Sequence, residues 1–309
     1  MWSKGQIGVI GELQGGYVYD VHVTRAKMAG REGVGGVIGI ISGNTNYVLN
    51  CSLVNPYTYT SEILAQAEAT GVDPLYLVTK VTDFVYPYTI GASNKYAGGI
   101  IGNVQKNSDQ AMVNLTVRDC YSNGVIGDGK DAGGNTGGII GRVKNETEKY
   151  NIDVQRCYFK GIIIAKGNYN AGIIGQFDNG LGNVTIRYTY SDSVFFLNGE
   201  TLNAYQAYMT FAEQHYAHKN TNSIVGRAVG TTDQSIYNTS NNFGTWKEYY
   251  DKFIFSYSII YELSENNEDS GTYTLFKLTP AFIESSLEFD LTNTWSFDSA
   301  TGTLTLRNK

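Results

Sequence analysis

Short aliphatic blocks bounded by glycine recur along the chain and dominate its pattern of hydrophobic and polar positions. The copies read IGVIG at 7–11, GGVIG at 35–39, GGIIG at 98–102, GGIIG at 137–141 and AGIIG at 171–175, with a weaker SIVG at 223–226. The first two copies lie 28 residues apart, and every later gap is longer because of insertions. Such a period predicts a repeat protein in which each sequence repeat forms one structural unit.

An alternating, strand-like segment follows each block. Examples are YVLNCSL from Tyr47, VNLTVRDCY from Val113, NIDVQRCYF from Asn151 and NVTIRYTY from Asn183. An aliphatic residue stands three positions before a small one in Val48 and Cys51, Val117 and Cys120, Val154 and Cys157, and Ile186 and Thr189. A third apolar run, such as KGIIIAKG at 160–167, closes several units. Three strands and three turns per unit predict one coil of a parallel β-solenoid.

Coils stacked about 4.8 Å apart would align equivalent side chains in ladders. One predicted ladder contains Val9, Val37, Ile100, Ile139 and Ile173, and a second contains Leu13, Ile41, Val104, Val143 and Phe177. The glycine between the two ladder positions is expected to mark a bend, where a Cβ atom would collide with the neighbouring coil.

In these features the sequence resembles GLUG-type repeats, which occur in bacterial surface proteins including adhesins. The resemblance rests on the glycine-bounded blocks, the asparagine-rich turns, the Cys-Tyr or Thr-Tyr strands and the closing runs. It covers about residues 5–195 apart from one insertion, with a degenerate coil near 223–244, and Ile-Ile or Val-Ile replaces the usual Leu-Val pair. The resemblance implies a right-handed parallel β-helix at a bacterial surface, and it implies no catalytic residue.

The repeats are interrupted once and fade before the C-terminus. An insertion at about 55–88 contains a predicted helix that begins at Thr60 or Ser61 and ends at Gly71, and it should form a flap on the solenoid. A second helical segment is predicted at about 200–220, because apolar residues there recur at alternating intervals of three and four positions, as on one face of a helix. We therefore divide the chain into repeats at 1–244 and an α+β cap at 245–309. The cap, with a hairpin, a short helix from Pro280 and closing strands, is expected to cover the open sheet edge of the last coil.

Composition narrows the class of protein. The 309 residues include 36 glycines, 24 tyrosines and 4 prolines, and 17% are charged, which is typical of short strands joined by turns under a largely uncharged surface. A net charge of −6 without a basic cluster argues against nucleic acid and anionic membranes as partners. No apolar stretch approaches the roughly 20 residues of a membrane-spanning helix. We expect a monomeric fragment of a longer exported protein, located outside the cell at a bacterial surface.

The chain contains residue types that can bind phosphate or metal or act as nucleophiles, but their spacing favours structural roles. The glycine-rich segment 127–138 lacks the order of a phosphate loop. Cys51, Cys120 and Cys157 share one repeat position, which favours a buried column over a disulfide or a reactive thiol. His215 and His218 are three apart, whereas zinc-binding helices usually space histidines four apart. We therefore predict neither a metal nor a cofactor.

Carboxylates on the solenoid raise the alternative of an enzyme, since parallel β-helices also host enzymes that cleave polysaccharides. Such a site needs an acid and a base on opposite sides of the bond. Asp119 and Asp153 lie in adjacent repeats with Arg118, Arg156 and Arg187 nearby, but they occupy different repeat positions. The pattern therefore favours a charged strand face.

Tyrosine clusters are the most suggestive feature for binding. Their rings can stack on sugars or anchor a protein partner, although they can also simply stabilise a sheet face. The candidate binding residues are Tyr57, Tyr59, Tyr86 and Tyr88 in the inserted flap, because inserted loops carry function more often than scaffold does.

The sequence as a whole favours a non-catalytic, adhesin-like surface module. It would bind a host or environmental glycan or protein on a solenoid face or on the flap. Two alternatives remain open, namely a β-helix polysaccharide lyase or glycoside hydrolase, and a structural stalk or spacer.

Overall fold

The computed structural model of the chain is a parallel β-helix with a helical insertion and a C-terminal α+β module. The structure describes residues 2–3, 5–43, 45–71, 73–78, 80–92, 95–105, 112–127, 135–143, 149–165, 170–177, 183–197, 200–202, 221–222, 237–240, 243–244, 254–255, 260–262, 272–274 and 279–307. In this part of the chain the coils build four parallel sheets, numbered I to IV in the order in which each coil enters them. The parallel β-helix expected from the repeats is confirmed.

The strands of each sheet come from successive coils. Sheet I contains Gly33–Gly35, Tyr96–Gly98, Asn135–Gly137, Asn170–Ala171 and Thr221–Asn222. Sheet II contains Ile10–Leu13, Ile38–Ile41, Ile101–Val104, Ile140–Val143 and Ile174–Phe177. Sheet III contains Gly16–Tyr19, Thr45–Leu49, Met112–Arg118, Lys149–Gln155, Asn183–Arg187 and Tyr237–Ser240.

Sheet IV is the largest, because it includes both halves of interrupted strands. Its strands are His22–Thr24, Ser52–Val54, Tyr121–Ile126, Tyr158–Ala165, Tyr190–Leu197, Phe243–Gly244 and Ile254–Phe255, together with Trp2–Ser3, Met28–Gly30 and Thr89–Ala92. Glu200–Leu202 turns back and pairs antiparallel with Tyr190–Leu197.

Each coil has one strand more than the predicted three, because the glycine-bounded block is itself divided. In the third coil Tyr96–Gly98 belongs to sheet I and Ile101–Val104 to sheet II, with the bend at Gly99 and Ile100. The predicted bend residue, Gly102, instead lies inside the sheet II strand. A Cβ atom there would stand 2.7 Å from the carbonyl oxygen of Gly39 in the preceding coil. The predicted collision is therefore confirmed, and the predicted place of the bend is wrong.

The side-chain ladders follow the predicted register. In sheet II, Leu13 pairs with Ile41, Ile41 with Val104, Val104 with Val143, and Val143 with Phe177. In the other ladder Val37, Ile100, Ile139 and Ile173 are fully buried. Val9 occupies the equivalent position of the first coil but is 59% exposed, so the buried ladder begins at Val37.

The cysteines form the buried column that their shared repeat position predicts. Cys51, Cys120 and Cys157 are free thiols and fully buried, and Thr189 continues the column in the next coil. Burial raises the pKa of the Cys120 thiol well above its ordinary value, because the thiolate would lose its hydration. These side chains therefore act as small core residues.

The insertion, residues 55–88, interrupts a strand of sheet IV without shifting its register. Val54 pairs with Asn123 and Thr89 pairs with Val125, so the chain leaves the sheet and returns opposite Gly124. We call this segment the flap. It contains α1 (Ser61–Thr70), α2 (Pro74–Leu77), a 3₁₀ turn (Val81–Asp83) and the antiparallel pair Thr58–Tyr59 and Phe84–Val85.

Helix α1 begins and ends where the sequence predicts. Thr60 precedes it in an extended conformation, and Gly71 ends it in the left-handed region with φ of 69°. Its buried residue, Ile63, packs with Leu75 and Phe84 against Ile162 and Val194 on the outer face of sheet IV. The flap therefore covers one half of that face.

The C-terminal module, defined as residues 279–307, covers the other half. It consists of α3 (Pro280–Ser286), which Thr279 caps, and the antiparallel hairpin Trp295–Asp298 and Thr303–Leu306. Its core joins Tyr121, Tyr158 and Tyr190 from three successive coils. This part of the predicted cap therefore lies along the side of the solenoid, where it buries the three tyrosine rings.

Other parts of the predicted cap lie near the last coil. Ile254–Phe255 continues sheet IV beyond Phe243–Gly244, and Ile260–Glu262 pairs antiparallel with Thr272–Thr274 as the predicted hairpin. The sequence predicts a helix at about 200–220, but Glu200–Leu202 forms an antiparallel strand, so the predicted start of that helix is wrong. The rest of that segment, with His215 and His218, and the weak repeat at 223–226 lie outside the described residues. No helix in the described part of the chain is long and apolar enough to span a bilayer.

Candidate ligand-binding site

The most exposed tyrosines of the described residues, Tyr17 and Tyr19, lie on the outer face of sheet III. Along each strand one residue enters the core and the next points outward, so Val18, Val48 and Val117 are buried between two outward positions. The first outward position holds Tyr17, Tyr47, Thr116, Asp153 and Thr185 in successive coils. The second holds Tyr19, Leu49, Arg118, Gln155 and Arg187. The face therefore changes from aromatic to charged along the solenoid.

Tyr17 and Tyr47 stack on each other because they occupy the same position in adjacent coils. Their ring centroids are 4.4 Å apart and their planes differ by 5°. Tyr17 is 72% exposed and Tyr19 is 60% exposed, and both are among the most exposed large apolar side chains of the described residues. Exposed aromatic rings on a rigid strand form a ready contact surface for a ligand.

The corner after sheet III brings polar groups to the edge of this surface. Asn50 and Asp119 each turn the corner in the left-handed region, with φ of 53° and 52°, a conformation that asparagine and aspartate tolerate well. Arg156 in the next coil donates two hydrogen bonds to the Asp119 carboxylate, at 2.8 and 2.9 Å. Asp119 raises the pKa of the Arg156 guanidinium through these bonds. Asp119 is thus held as a fixed carboxylate at the corner.

The C-terminal module supplies the opposite wall. Trp295 donates its indole N–H to Asp119 Oδ1 at 3.2 Å, which fixes the module to the corner. Asp290 Oδ1 accepts the backbone N–H groups of Thr292 and Asn293, both at 2.9 Å. Arg307 donates to the carbonyl oxygens of Trp295 and Leu291, at 2.7 and 2.8 Å. Local hydrogen bonds therefore hold this wall in one conformation.

Together these elements form a groove of about 440 Å³ between sheet III and the module. Its lining comprises Tyr17, Tyr19, Tyr47, Leu49, Asn50, Thr116, Arg118, Asp119, Asn293, Thr294 and Arg307. The volume lies within the roughly 300–1,000 Å³ that is usual for small-ligand sites. An aromatic floor with hydroxyl, amide, guanidinium and carboxylate groups around it can bind a ligand that is apolar on one face and polar at its edges.

The flap tyrosines are arranged differently. Tyr57, Tyr59, Tyr86 and Tyr88 are all half-buried. Tyr57 meets Tyr59 edge-on at 5.4 Å, and Tyr86 lies 5.1 Å from Phe84 in the core of the flap. Tyr57, Tyr59 and Tyr86 pack against the flap cluster, so these rings help to hold the flap on sheet IV. Their predicted role in binding stays a prediction, and the structure adds a more open aromatic surface on sheet III.

The two carboxylates singled out in the sequence are both engaged with arginine. Arg118 Nη2 donates to Asp153 Oδ2 at 2.6 Å, and Arg187 lies 3.8 Å from the other oxygen of Asp153. Asp119 pairs with Arg156, so the two acids belong to separate ion pairs. Within the described residues, no three His, Cys, Asp or Glu side chains are grouped as metal ligands.

A serine, a histidine and an aspartate form a hydrogen-bonded chain on sheet IV next to the groove. His22 Nδ1 lies 2.8 Å from Ser52 Oγ, and His22 Nε2 lies 3.1 Å from Asp20 Oδ1. Ser52 is only 5% exposed. Its backbone N–H donates to the carbonyl oxygen of Val21, and that of Tyr121 donates to the carbonyl oxygen of Cys51. The arrangement has the residue types of a nucleophilic site, but these nearby amides are already used in the sheet.

Sequence reasoning missed the groove for an identifiable reason. Tyr17 and Tyr47 carried a signal, since two adjacent repeats place tyrosine at one outward position. The wall formed by Asn293, Thr294 and Arg307 carried none, because it depends on docking between segments more than 170 residues apart in the sequence.

Comparisons of the chain with protein-family models, with curated proteins and with solved structures gave no match. The similarity to GLUG-type repeats therefore stays a hypothesis. The groove is interpreted from its own geometry.

Proposed function

We propose that the protein is a non-catalytic, adhesin-like surface module that binds carbohydrate in the groove on sheet III. The observation that carries the proposal is the stack of the exposed Tyr17 on the half-buried Tyr47, beside a ring of fixed polar groups. A sugar ring has an apolar C–H face and a hydroxyl edge, so it needs this combination. A location outside the cell, at a bacterial surface, belongs to the same proposal and rests on the repeat pattern.

The rigidity of the site supports this function. Tyr17 and Tyr47 are held by strand pairing, and Asp119 is held by Arg156 and Trp295. A site whose groups are already ordered loses little conformational entropy when a ligand binds. A pre-formed groove therefore suits the weak, repeated contacts of a surface protein with glycans.

A glycan array tests the proposal, followed by titration calorimetry with the strongest oligosaccharide. Tyr17→Ala combined with Tyr19→Ala removes two exposed rings and should abolish binding with little loss of stability. Val85→Ala is the matched control, because Val85 is 61% exposed and lies on the flap. If Val85→Ala or Tyr88→Ala weakens binding and the double variant does not, the flap is the binding surface. If the intact protein binds no glycan on the array, the stalk becomes the better interpretation.

Hydrolysis is the second candidate, because Ser52, His22 and Asp20 are hydrogen-bonded in series. The burial of Ser52 and the use of its neighbouring amides in the sheet argue against it, since a tetrahedral intermediate needs free donors. We expect the protein to hydrolyse p-nitrophenyl acetate no faster than the Ser52→Ala variant does. A rate that falls to background in Ser52→Ala would contradict the non-catalytic proposal.

A further inference from the structure

The tyrosine stack of sheet III ends where its next member is missing. The first outward position reads Tyr17, Tyr47, Thr116 and Asp153 in four successive coils. Tyr17 covers one face of the Tyr47 ring at 4.4 Å. The other face of Tyr47 points towards the third coil, where the short side chain of Thr116 replaces a ring. Both Tyr47 and Thr116 line the groove, so the space above Thr116 is part of it.

The far side of this space is polar. Arg118, at the second outward position of the third coil, reaches to Asp153 of the fourth coil with a hydrogen bond of 2.6 Å. Asp153 follows Thr116 in the same ladder, and Arg118 also lines the groove. The space above Thr116 thus lies between an aromatic face and an ion pair, two coil spacings or roughly 9–10 Å apart.

The geometry points to a pyranose ring as the ligand of this space. The ring would lie parallel to Tyr17 and Tyr47 as the third member of their stack, with its C–H face on Tyr47 and its hydroxyl groups towards Arg118 and Asp153. An aromatic ring would leave the ion pair without new hydrogen bonds, whereas a pyranose can place a C–H face on Tyr47 and direct hydroxyl groups from its edge towards the ion pair. This inference rests on the proposed function and specifies where and how the sugar is held.

Thr116 is then the residue that determines specificity, because its small size creates the space. Thr116→Tyr should complete the stack with a protein ring at the usual coil spacing and fill the site. The same change adds an aromatic residue to the surface, so a site that binds ligands through aromatic area alone would bind more strongly. The two interpretations therefore predict opposite results for one substitution.

The experiment compares the intact protein with Thr116→Tyr, Tyr47→Leu and the flap control Val85→Ala by titration with the strongest oligosaccharide from the array. We expect Thr116→Tyr to lose binding by about tenfold or more, Tyr47→Leu to lose about tenfold, and Val85→Ala, which lies outside the groove, to remain within about threefold. Thr116→Tyr should melt at or above the temperature of the unmodified protein, because its ring continues an existing stack. That result separates a filled site from a misfolded one.

Each other outcome has a defined meaning. If the protein binds a glycan and a folded Thr116→Tyr binds it equally well, the ring does not occupy this space and the inference is wrong, while the proposed function stands. If no glycan binds to the intact protein, the proposed function fails and the inference fails with it. If N-acetyl-tryptophan amide binds the intact protein, does not bind Thr116→Tyr and competes with no glycan, the space accepts aromatic side chains, and the pyranose assignment is overturned.

Discussion

Two tyrosine stacks on adjacent sheets of the same solenoid have opposite environments. Tyr17 and Tyr47 stack at 4.4 Å on sheet III, where Tyr17 is exposed and Tyr47 is half-buried. Tyr121, Tyr158 and Tyr190 stack at 5.4 and 5.1 Å on sheet IV, and the C-terminal module buries them completely or nearly so. Parallel register produces both stacks, since it places equivalent residues one above the other. The cover, and not the stack itself, decides which one stabilises the fold and which one is open to a ligand.

The largest expected difference between the stacks is in stability. Tyr158→Ala removes the central ring of the covered stack and should lower the free energy of unfolding by about 3–5 kcal/mol, as for other buried aromatic residues. Tyr17→Ala should change it by less than about 0.5 kcal/mol, because Tyr17 is exposed. Denaturant unfolding of the two variants measures both values. Equal losses would mean that the open stack is also structural.

A smaller effect on stability is expected at Lys160, where sheet IV, the flap and the C-terminal module meet. Lys160 Nζ, with its side chain only 9% exposed, lies 2.9 Å from Asp73 of the flap and 3.4 Å from the carbonyl oxygen of Thr301 in the module. Lys160→Met leaves the Asp73 carboxylate without this cation and should cost about 3 kcal/mol. The double variant with Asp73→Asn should recover part of the loss, because asparagine still caps α2. A double variant no more stable than Lys160→Met alone would contradict a role for the charge.

The smallest effect concerns the covered stack at alkaline pH. Burial raises the pKa of Tyr121 well above its ordinary value of about 10. The folded protein therefore keeps this phenol neutral where the unfolded chain ionises it, so its contribution to stability is present below about pH 10 and is lost progressively above it. Tyr121→Phe should flatten the alkaline decline in unfolding free energy, which denaturant unfolding at a series of pH values measures. Matching declines in the two proteins would show that other groups control it.

The sequence allowed most of the solenoid to be predicted because its repeats are local. The column of Cys51, Cys120 and Cys157, the ladder through Ile41 and Val104, and the ends of α1 all follow from short-range patterns. The position of the C-terminal module depends on its contacts with the tyrosines of sheet IV, which are distant in the sequence, and local spacing does not encode those contacts. The place of the flap tyrosines in an inserted loop favours a role in binding, yet the rings of Tyr57 and Tyr86 face Phe84 in the flap core. Location in an insertion does not reveal which side chains the insertion covers with its own core.

The way in which the flap joins sheet IV affects how the solenoid can evolve. The strand of sheet IV resumes in register after the insertion. The strand pairing of this coil therefore does not depend on the length or sequence of the segment between Val54 and Thr89. A replacement segment has to cover the apolar residues of the sheet beneath it, among them Val125, Ile162 and Val194, and to supply a partner for the buried Lys160 ammonium group. Long insertions cost little closure entropy when their ends are already adjacent. This position is therefore an insertion site. The solenoid can carry a different segment there without any change to the groove on sheet III.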